Sequence, residues 1–290
     1  MSKDKTLPLV NKEKMNNMEI EYLHYPSNGQ TLLMLHATGF LPWLWHPIAS
    51  RLNEEYGYNI YAPYLCEHRD IDSKTGALSW NTLAEDLIHF CKNLKLKESF
   101  VIGHSMGATI ATLCAGMKQL SPKAMVLIEP IFLPQETYSI NITVEQHPLA
   151  SKSIRRKSHW HSKEEAINYL RSKKLFEEWD DEILDLYVNY GMNHHEDGSL
   201  TLKCSPEREA ALFMGGNAKN PWPLLSHLQC PVLIIEGGMS ENRAFIDLKY
   251  AASLIPNGHY KMIEEAGHLI PMEEPEETLK AMAEFFESLH

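Results

Sequence analysis

The sequence has 290 residues, 44% hydrophobic and 22% charged, a composition typical of a globular protein with a substantial core. Lysines and arginines number 27 against 38 aspartates and glutamates, so the net charge of −11 disfavours nucleic acid and anionic membranes as partners. The five cysteines are scattered along the chain, which predicts reduced thiols in the cytoplasm and neither a disulfide framework nor a zinc site.

Residues 1–17 are polar and lack the apolar segment of a secretory signal, so we expect a polar N-terminal tail. No later stretch is apolar over the length that a membrane span requires. Residues 18–26 and 31–36 have the pattern of strands, and the Asn28-Gly29 pair between them predicts a β-hairpin.

From residue 46 onward, amphipathic helical segments alternate with short apolar runs. The predicted helices are 46–52, 80–94, 106–120, 243–254 and 275–289. The predicted strands are 58–64, 99–103, 123–129, 230–238 and 259–265. This alternation is typical of a mostly parallel sheet that is covered by helices on both faces.

The alternation is interrupted between Pro130 and residue 230. Residues 131–225 show no convincing core strand, but three segments have helical spacing: 163–176, 180–192 and 205–214. We therefore predict a helical cap at 131–225, inserted into a core made of 18–130 and 226–290.

A basic patch at residues 151–161 opens the predicted cap of this otherwise acidic protein. Two interpretations are open: a solvated turn that leads into a helix, or a contact for an acidic group of a substrate.

A Gly-x-Ser-x-Gly pattern at residues 103–107 has Ser105 at its centre. The pattern alone is weak, but here it follows a predicted strand and opens a predicted helix. That setting puts a serine on a strained turn with its hydroxyl above the sheet, and the helix N-terminus favours negative charge that develops there. The context predicts a nucleophilic Ser105.

The chain resembles the α/β-hydrolase superfamily in three segments that occur in the same order as in that family: 32–40, 101–108 and 264–277. The resemblance extends over about residues 20 to 290. The His-Ala-Thr-Gly-Phe stretch at 36–40 is similar to a little-characterised branch of cofactor-free hydrolases. The resemblance implies an α/β fold with a mostly parallel central sheet, helices on both faces and a helical cap after the sixth strand. It also implies that no cofactor is needed.

The same resemblance implies a base and an oxyanion hole. His268 follows the last predicted strand in a Gly-His loop, where the family carries the base that activates the serine. The backbone N–H groups of Thr38 and Met106 are expected to hold the oxyanion. We interpret His36 as a structural residue that orients its loop.

The acid of the triad is the open question. The family usually carries an aspartate after the seventh strand, but Ser240 occupies that slot here. Glu129 ends an apolar run 24 residues after Ser105, where some members of the superfamily have their acid. A charge at that place is hard to justify unless it is paired. We favour Glu129, with Glu241 as the alternative. A Ser–His dyad, or another residue as the acid, is also left open.

Three further residues are assigned to the substrate pocket: Phe40, Trp43 and His104. The aromatic rings of Phe40 and Trp43 could equally pack against a helix.

The histidine pairs at 159/161 and 194/195 suggest metal, but regularly spaced carboxylates are missing nearby. We interpret them as loop or cap-surface residues and expect no metal site.

These residues together predict a serine hydrolase that cleaves a small-molecule carboxylic ester, with lactones and thioesters as related substrates. A carbon–carbon bond hydrolase, an acyltransferase or a cofactor-free haloperoxidase-like enzyme could use the same triad. A non-catalytic ligand receptor is the alternative outside enzymes. A serine nucleophile argues against dehalogenase and epoxide-hydrolase chemistry, which needs a carboxylate. The sequence leaves the oligomeric state open.

Overall fold

The computed structural model describes residues 7–15, 18–72, 75–96 and 98–289. The strands in these ranges are β1 (Leu9–Met15), β2 (Met18–Tyr25), β3 (Thr31–Leu35), β4 (Asn59–Pro63), β5 (Phe100–His104), β6 (Ala124–Ile128), β7 (His159–Trp160), β8 (Met192–His194), β9 (Leu200–Leu202), β10 (Val232–Gly237) and β11 (Gly258–Ile263).

The α-helices in the same ranges are α1 (His46–Glu54), α2 (Trp80–Asn93), α3 (Met106–Gly116), α4 (Ala150–Ser153), α5 (Lys163–Arg171), α6 (Lys174–Glu177), α7 (Asp181–Tyr190), α8 (Pro206–Met214), α9 (Leu248–Ser253), α10 (Ile270–Glu273) and α11 (Pro275–Glu287). Short 3-10 helices cover Pro42–Trp45, Gln135–Ser139, Gly215–Ala218, Trp222–His227 and Glu241–Ala244.

A central eight-stranded sheet has the strand order β1-β2-β4-β3-β5-β6-β10-β11. Neighbours from β4 to β11 are parallel, whereas β1 and β2 each run antiparallel to their neighbours. Both faces are covered: Leu32 and Met34 of β3 enter one apolar cluster, and Leu33 and Leu35 enter the other. The predicted α/β fold with a mostly parallel sheet is confirmed.

The predicted polar tail is wrong for residues 9–15, because they form the edge strand β1 and pair with β2 over seven positions. Only Met15 of this strand is buried. Backbone hydrogen bonds to β2 hold this strand, and it buries few side chains. Its sequence therefore lacks the alternation of apolar and polar residues by which a strand is recognised. Residues 1–6, 16 and 17 of the predicted tail lie outside the described residues.

The predicted hairpin between β2 and β3 is also wrong. The two strands do not pair, because β4 lies between them and pairs with both. Gly29 of the connecting turn instead lies against the backbone of Gly57, where a Cβ would meet the Gly57 oxygen at 2.0 Å.

The segment between β6 and β10 contains α4 to α8 and a separate antiparallel sheet with the order β7-β9-β8. Its strands have two or three residues, too few to show a period in the sequence. The predicted helix at 163–176 is two helices, because the chain is extended at Lys173. The division of the chain at 130 and 226 stays a prediction.

Within the described ranges, no helix combines the length and apolar character that a bilayer crossing requires.

Candidate active site

Ser105 is the single residue between the end of β5 and the start of α3. Its backbone has φ 54° and ψ −117°, a strained conformation for a residue with a Cβ. The Ser105 N–H donates to the Ile128 carbonyl at 2.9 Å, which ties the turn to the end of β6. The side chain is thereby held above the carboxyl end of the sheet, at the N-terminus of a helix.

The glycines that flank this turn have no room for a side chain. A Cβ on Gly103 would lie 2.6 Å from the backbone of Ala108. A Cβ on Gly107 would lie 2.5 Å from the Leu35 oxygen. The Gly107 contact brings the first turn of α3 against the end of β3. The loop of residues 36–40 begins there and is called the oxyanion loop after its predicted role.

The His268 ring lies between Ser105 and Glu129. Its Nε2 is 3.0 Å from the Ser105 Oγ, and its Nδ1 is 2.9 Å from the Glu129 Oε2. A carboxylate only accepts hydrogen bonds, so Nδ1 carries the proton and donates to Glu129. Nε2 is then free to accept from the serine hydroxyl. This is the hydrogen-bonding pattern of a Ser–His–acid triad.

Glu129 directly follows β6 and is 1% exposed. Its Oε1 accepts from the Gly237 N–H and its Oε2 from the Ser240 hydroxyl, both at 2.8 Å. Together with the bond from His268, these contacts satisfy a buried carboxylate that would otherwise be costly. Its backbone φ is 48°, so a second member of this cluster has a strained conformation.

The structure does not bring Glu241 to His268. The Glu241 side chain is 88% exposed and pairs with Lys174 of the cap at 3.2 Å. Its neighbour Asn242, which the sequence did not indicate, has its amide nitrogen 3.0 Å from the His268 Nδ1.

The loop that carries His268, residues 264–269, is held from two sides. The Glu273 carboxylate accepts a hydrogen bond from the Gly267 N–H, and burial raises the pKa of Glu273. The Nε2 of His104 lies 2.9 Å from the His268 carbonyl oxygen and donates to it. These two contacts fix the backbone on both sides of the histidine side chain.

The assignment of His104 to the substrate pocket is wrong, because the ring is fully buried beneath the site. Burial lowers the pKa of His104 to about 3, so the imidazole is neutral at neutral pH. A neutral ring with its proton on Nε2 is the form that donates to the His268 carbonyl. His104 is therefore a supporting residue.

The oxyanion loop is held by His36, as expected for a structural residue. The His36 Nε2 accepts from the Leu65 N–H at 3.0 Å, and its Nδ1 donates to the Ala37 carbonyl at 2.9 Å. In the part of the chain that the structure describes, the N–H groups of Thr38 and Met106 have no acceptor. Two free donors at this place suit a developing oxyanion.

Phe40 and Trp43 are buried against the cap. The Phe40 ring centroid lies 5.3 Å from that of Trp179 and 5.9 Å from that of Tyr187. Trp43 stacks on Tyr190 at 3.6 Å. Both rings contact α7. Trp43 is therefore a packing residue, as the alternative interpretation of its ring held. The position of Phe40 in the wall of a substrate pocket stays a prediction.

The basic patch at 151–161 is not simply solvated. Nη1 of Arg156 lies 2.8 Å from both carboxylate oxygens of Glu209 in α8, and Nη2 donates to the Tyr187 hydroxyl at 3.3 Å. Glu209 in turn touches the oxyanion loop, where a Cβ on Gly39 would meet its Oε1 at 2.4 Å. Gly39 has φ 73°, a conformation that glycine adopts without strain.

The histidine pairs make local contacts. His194 bonds to the Val188 carbonyl at 3.0 Å, and His195 to the Thr201 hydroxyl at 2.9 Å. Among the described residues, no group of three or more histidines, cysteines or carboxylates could hold a metal ion.

Comparison with known proteins identifies the family. A model of the alpha/beta hydrolase family matches residues 32–281. The AB hydrolase superfamily protein YfhM of Bacillus subtilis is 26% identical over 266 residues, which are 86% of this chain and 87% of that protein.

Two solved structures share the fold. E-2-(acetamidomethylene)succinate hydrolase has a TM-score of 0.79 at 18% identity, covering 97% of this chain and 99% of that one. A thermophilic esterase from Thermogutta terrifontis, solved with malate bound, has a TM-score of 0.69 at 20% identity, covering 97% and 99%. The chain belongs to the alpha/beta hydrolase family and is a hydrolase of that type.

Proposed function

We propose that the protein is a serine hydrolase that cleaves a small-molecule carboxylic ester through an acyl-enzyme on Ser105. The observation that carries the proposal is the continuous hydrogen-bonded chain Ser105–His268–Glu129, with distances of 3.0 and 2.9 Å. A thermophilic esterase among the proteins of similar fold supports the same chemistry. Lactones and thioesters present the same carbonyl to the serine.

The reaction begins when the Nε2 of His268 takes the hydroxyl proton and the Ser105 oxygen attacks the ester carbonyl. The oxyanion that forms accepts hydrogen bonds from the N–H groups of Thr38 and Met106. Glu129 stabilises the imidazolium through Nδ1–H. His268 then protonates the departing alcohol, and a water that His268 deprotonates hydrolyses the acyl-enzyme.

A non-catalytic receptor is the less favoured alternative, because a receptor does not need a base held at 3.0 Å from a strained serine. We also propose the cytoplasm as the compartment, on the basis of the five scattered cysteines.

Labelling with a fluorophosphonate probe tests the proposal. The wild type should be labelled, and Ser105→Ala should not. Glu129→Gln should label about a thousandfold more slowly, because the base loses the group that orients it. Glu241→Gln is the matched control and should label like the wild type, since its side chain lies in solvent.

Undiminished labelling of Ser105→Ala would refute the hydrolase proposal. Loss of labelling in Glu241→Gln alone would instead refute the assignment of Glu129. A series of p-nitrophenyl esters of increasing acyl length then measures the size of the pocket.

A further inference from the structure

The loop between β10 and α9, residues 238–247, is held against the loop that carries His268. The Met239 N–H donates to the Ala266 carbonyl at 2.9 Å. A Cβ on Gly238 would lie 2.4 Å from a backbone carbonyl oxygen of the second loop, so the two backbones are in direct contact. This contact fixes the side chains of the β10–α9 loop relative to the histidine.

Alternate residues of the β10–α9 loop face the proposed acid and base. The Ser240 hydroxyl donates to Glu129 at 2.8 Å, and the side-chain nitrogen of Asn242 lies 3.0 Å from the His268 Nδ1. The side chain of Glu241, between them, is exposed to solvent. The backbone carbonyl of Asn242 accepts from two N–H groups at 3.0 and 2.8 Å, which holds the residue in place.

The Asn242 nitrogen and the His268 Nδ1 cannot bond to each other while both carry protons. The Nδ1 proton goes to Glu129 at 2.9 Å, so both atoms are donors. A turn of the amide by 180° exchanges its nitrogen for its oxygen at nearly the same place. In the part of the chain that the structure describes, the side-chain oxygen of Asn242 has no hydrogen-bond partner, so the turn breaks no bond. The turned amide offers Nδ1–H a second acceptor.

The opposite arrangement, in which Nδ1 accepts from the amide, is unfavourable. It places the Nδ1 lone pair 2.9 Å from the Glu129 carboxylate oxygen, and two acceptors repel each other. It also puts the ring proton on Nε2, where the neutral ring cannot take the proton of Ser105.

We propose that Asn242 presents its side-chain oxygen to His268 and is, beside Glu129, a second acceptor for the Nδ1 proton. It is a positioning residue, which holds the ring towards Ser105 and stabilises the imidazolium that forms during the reaction. A neutral amide does this without a second negative charge next to a buried carboxylate. The inference rests on the proposed hydrolase function and adds a residue to its machinery.

Esterase kinetics of Asn242→Leu test the proposal, because leucine is close to asparagine in size and branching but has no acceptor. We expect kcat to fall about tenfold with KM unchanged, since the lost bond counts most when the ring is charged. Glu241→Gln changes the adjacent, exposed residue and should behave like the wild type. An unchanged or higher kcat in Asn242→Leu would overturn the proposal.

Rescue of Glu129→Gln separates this role from a change in the shape of the loop. Adding Asn242→Asp should restore tenfold or more of the lost kcat, because a carboxylate oxygen then takes the place of the amide oxygen at Nδ1. Adding Ala244→Asp instead puts the same charge on an exposed residue at the end of the same 3-10 helix and should restore nothing. Equal kcat in the two double variants would count against Asn242.

Neutron diffraction from the free enzyme in D₂O supplies a readout that needs no turnover. It should show deuterium on Nδ1 of His268 and the oxygen of Asn242 facing it. That result in a protein without esterase activity would refute the proposed function but leave the Asn242 assignment standing. A deuterated amide nitrogen facing Nδ1 would refute the assignment, whatever the activity.

Discussion

Two residues of the candidate catalytic cluster have a strained backbone conformation. Among the described residues, five that are not glycine have positive φ, and two of them are Ser105 and Glu129. Both follow the carboxyl ends of adjacent parallel strands, β5 and β6. The N–H groups of both are bonded to the next strand or its end, Ser105 to Ile128 and Glu129 to Ile235. The sheet therefore holds two strained residues in place, as expected at a functional site.

At the same scale, His104 should make stability depend on pH. Burial lowers the pKa of His104 from 6.5 to about 3. Between these values the unfolded chain binds a proton that the native state does not bind. The free energy of unfolding should therefore fall as the pH falls through this window, by up to about 1.4 kcal/mol per pH unit from this group.

Urea denaturation of the wild type and His104→Asn at pH 7 and pH 5 measures this contribution. The variant should lose less stability on acidification than the wild type. His36, whose pKa is also lowered by burial, remains in both proteins and cancels in the comparison. His89→Asn, which replaces an exposed histidine, should behave like the wild type. Equal losses in wild type and His104→Asn would contradict the prediction.

At the scale of elements, we propose that the end of β6 supplies the acid that the family usually carries in the loop after β10. Ser240 stands in the slot where the family usually has an aspartate, and its hydroxyl donates to Glu129 at 2.8 Å. Because β6 and β10 are neighbours in the sheet, a carboxylate at the end of either strand approaches the same histidine nitrogen. In this arrangement Ser240 serves as a hydrogen-bond donor to the proposed acid, Glu129.

This arrangement predicts that the acid can be moved back. Glu129→Gln should lower kcat about a thousandfold with little change in KM. Adding Ser240→Asp to that variant should restore about tenfold or more of the loss, because the new carboxylate can accept from Nδ1. Esterase kinetics of wild type, both single variants and the double variant measure the effect. A double variant no more active than Glu129→Gln would show that the loop cannot supply the acid.

For the whole molecule, α8 connects the cap to the core. Nη1 of Arg208 donates to the carbonyls of Cys66 and Arg69 at 2.8 and 2.6 Å. The neighbouring Glu209 contacts Gly39 of the oxyanion loop and pairs with Arg156, which lies at the other end of the cap segment. One helix thus links the cap to two core loops.

Removing one partner of the Arg156–Glu209 pair is expected to lower the free energy of unfolding much more than removing both partners. Glu209→Leu leaves the largely buried Arg156 unpaired and should cost about 3–5 kcal/mol of unfolding free energy. The double variant Arg156→Leu/Glu209→Leu should recover most of that loss, because it removes the remaining charge. Urea denaturation of the four proteins measures both effects. A double variant less stable than Glu209→Leu would mean that the pair itself is the stabilising element.

The sequence by itself determined the fold class and indicated the turn around Ser105, because both depend on contiguous patterns of apolar spacing and glycines. Its resemblance to the α/β hydrolases indicated His268 as the candidate base. Tertiary structure decided between Glu129 and Glu241 for the position beside His268. The reason is physical: β6 and β10 are remote in sequence and meet only in the sheet, and the Glu241 side chain lies in solvent, where it pairs with the equally exposed Lys174 of the cap. The edge strand β1 and the burial of His104 also could not be predicted from the sequence. Pairing with a neighbouring strand and enclosure by residues distant in sequence leave no periodic pattern in the chain.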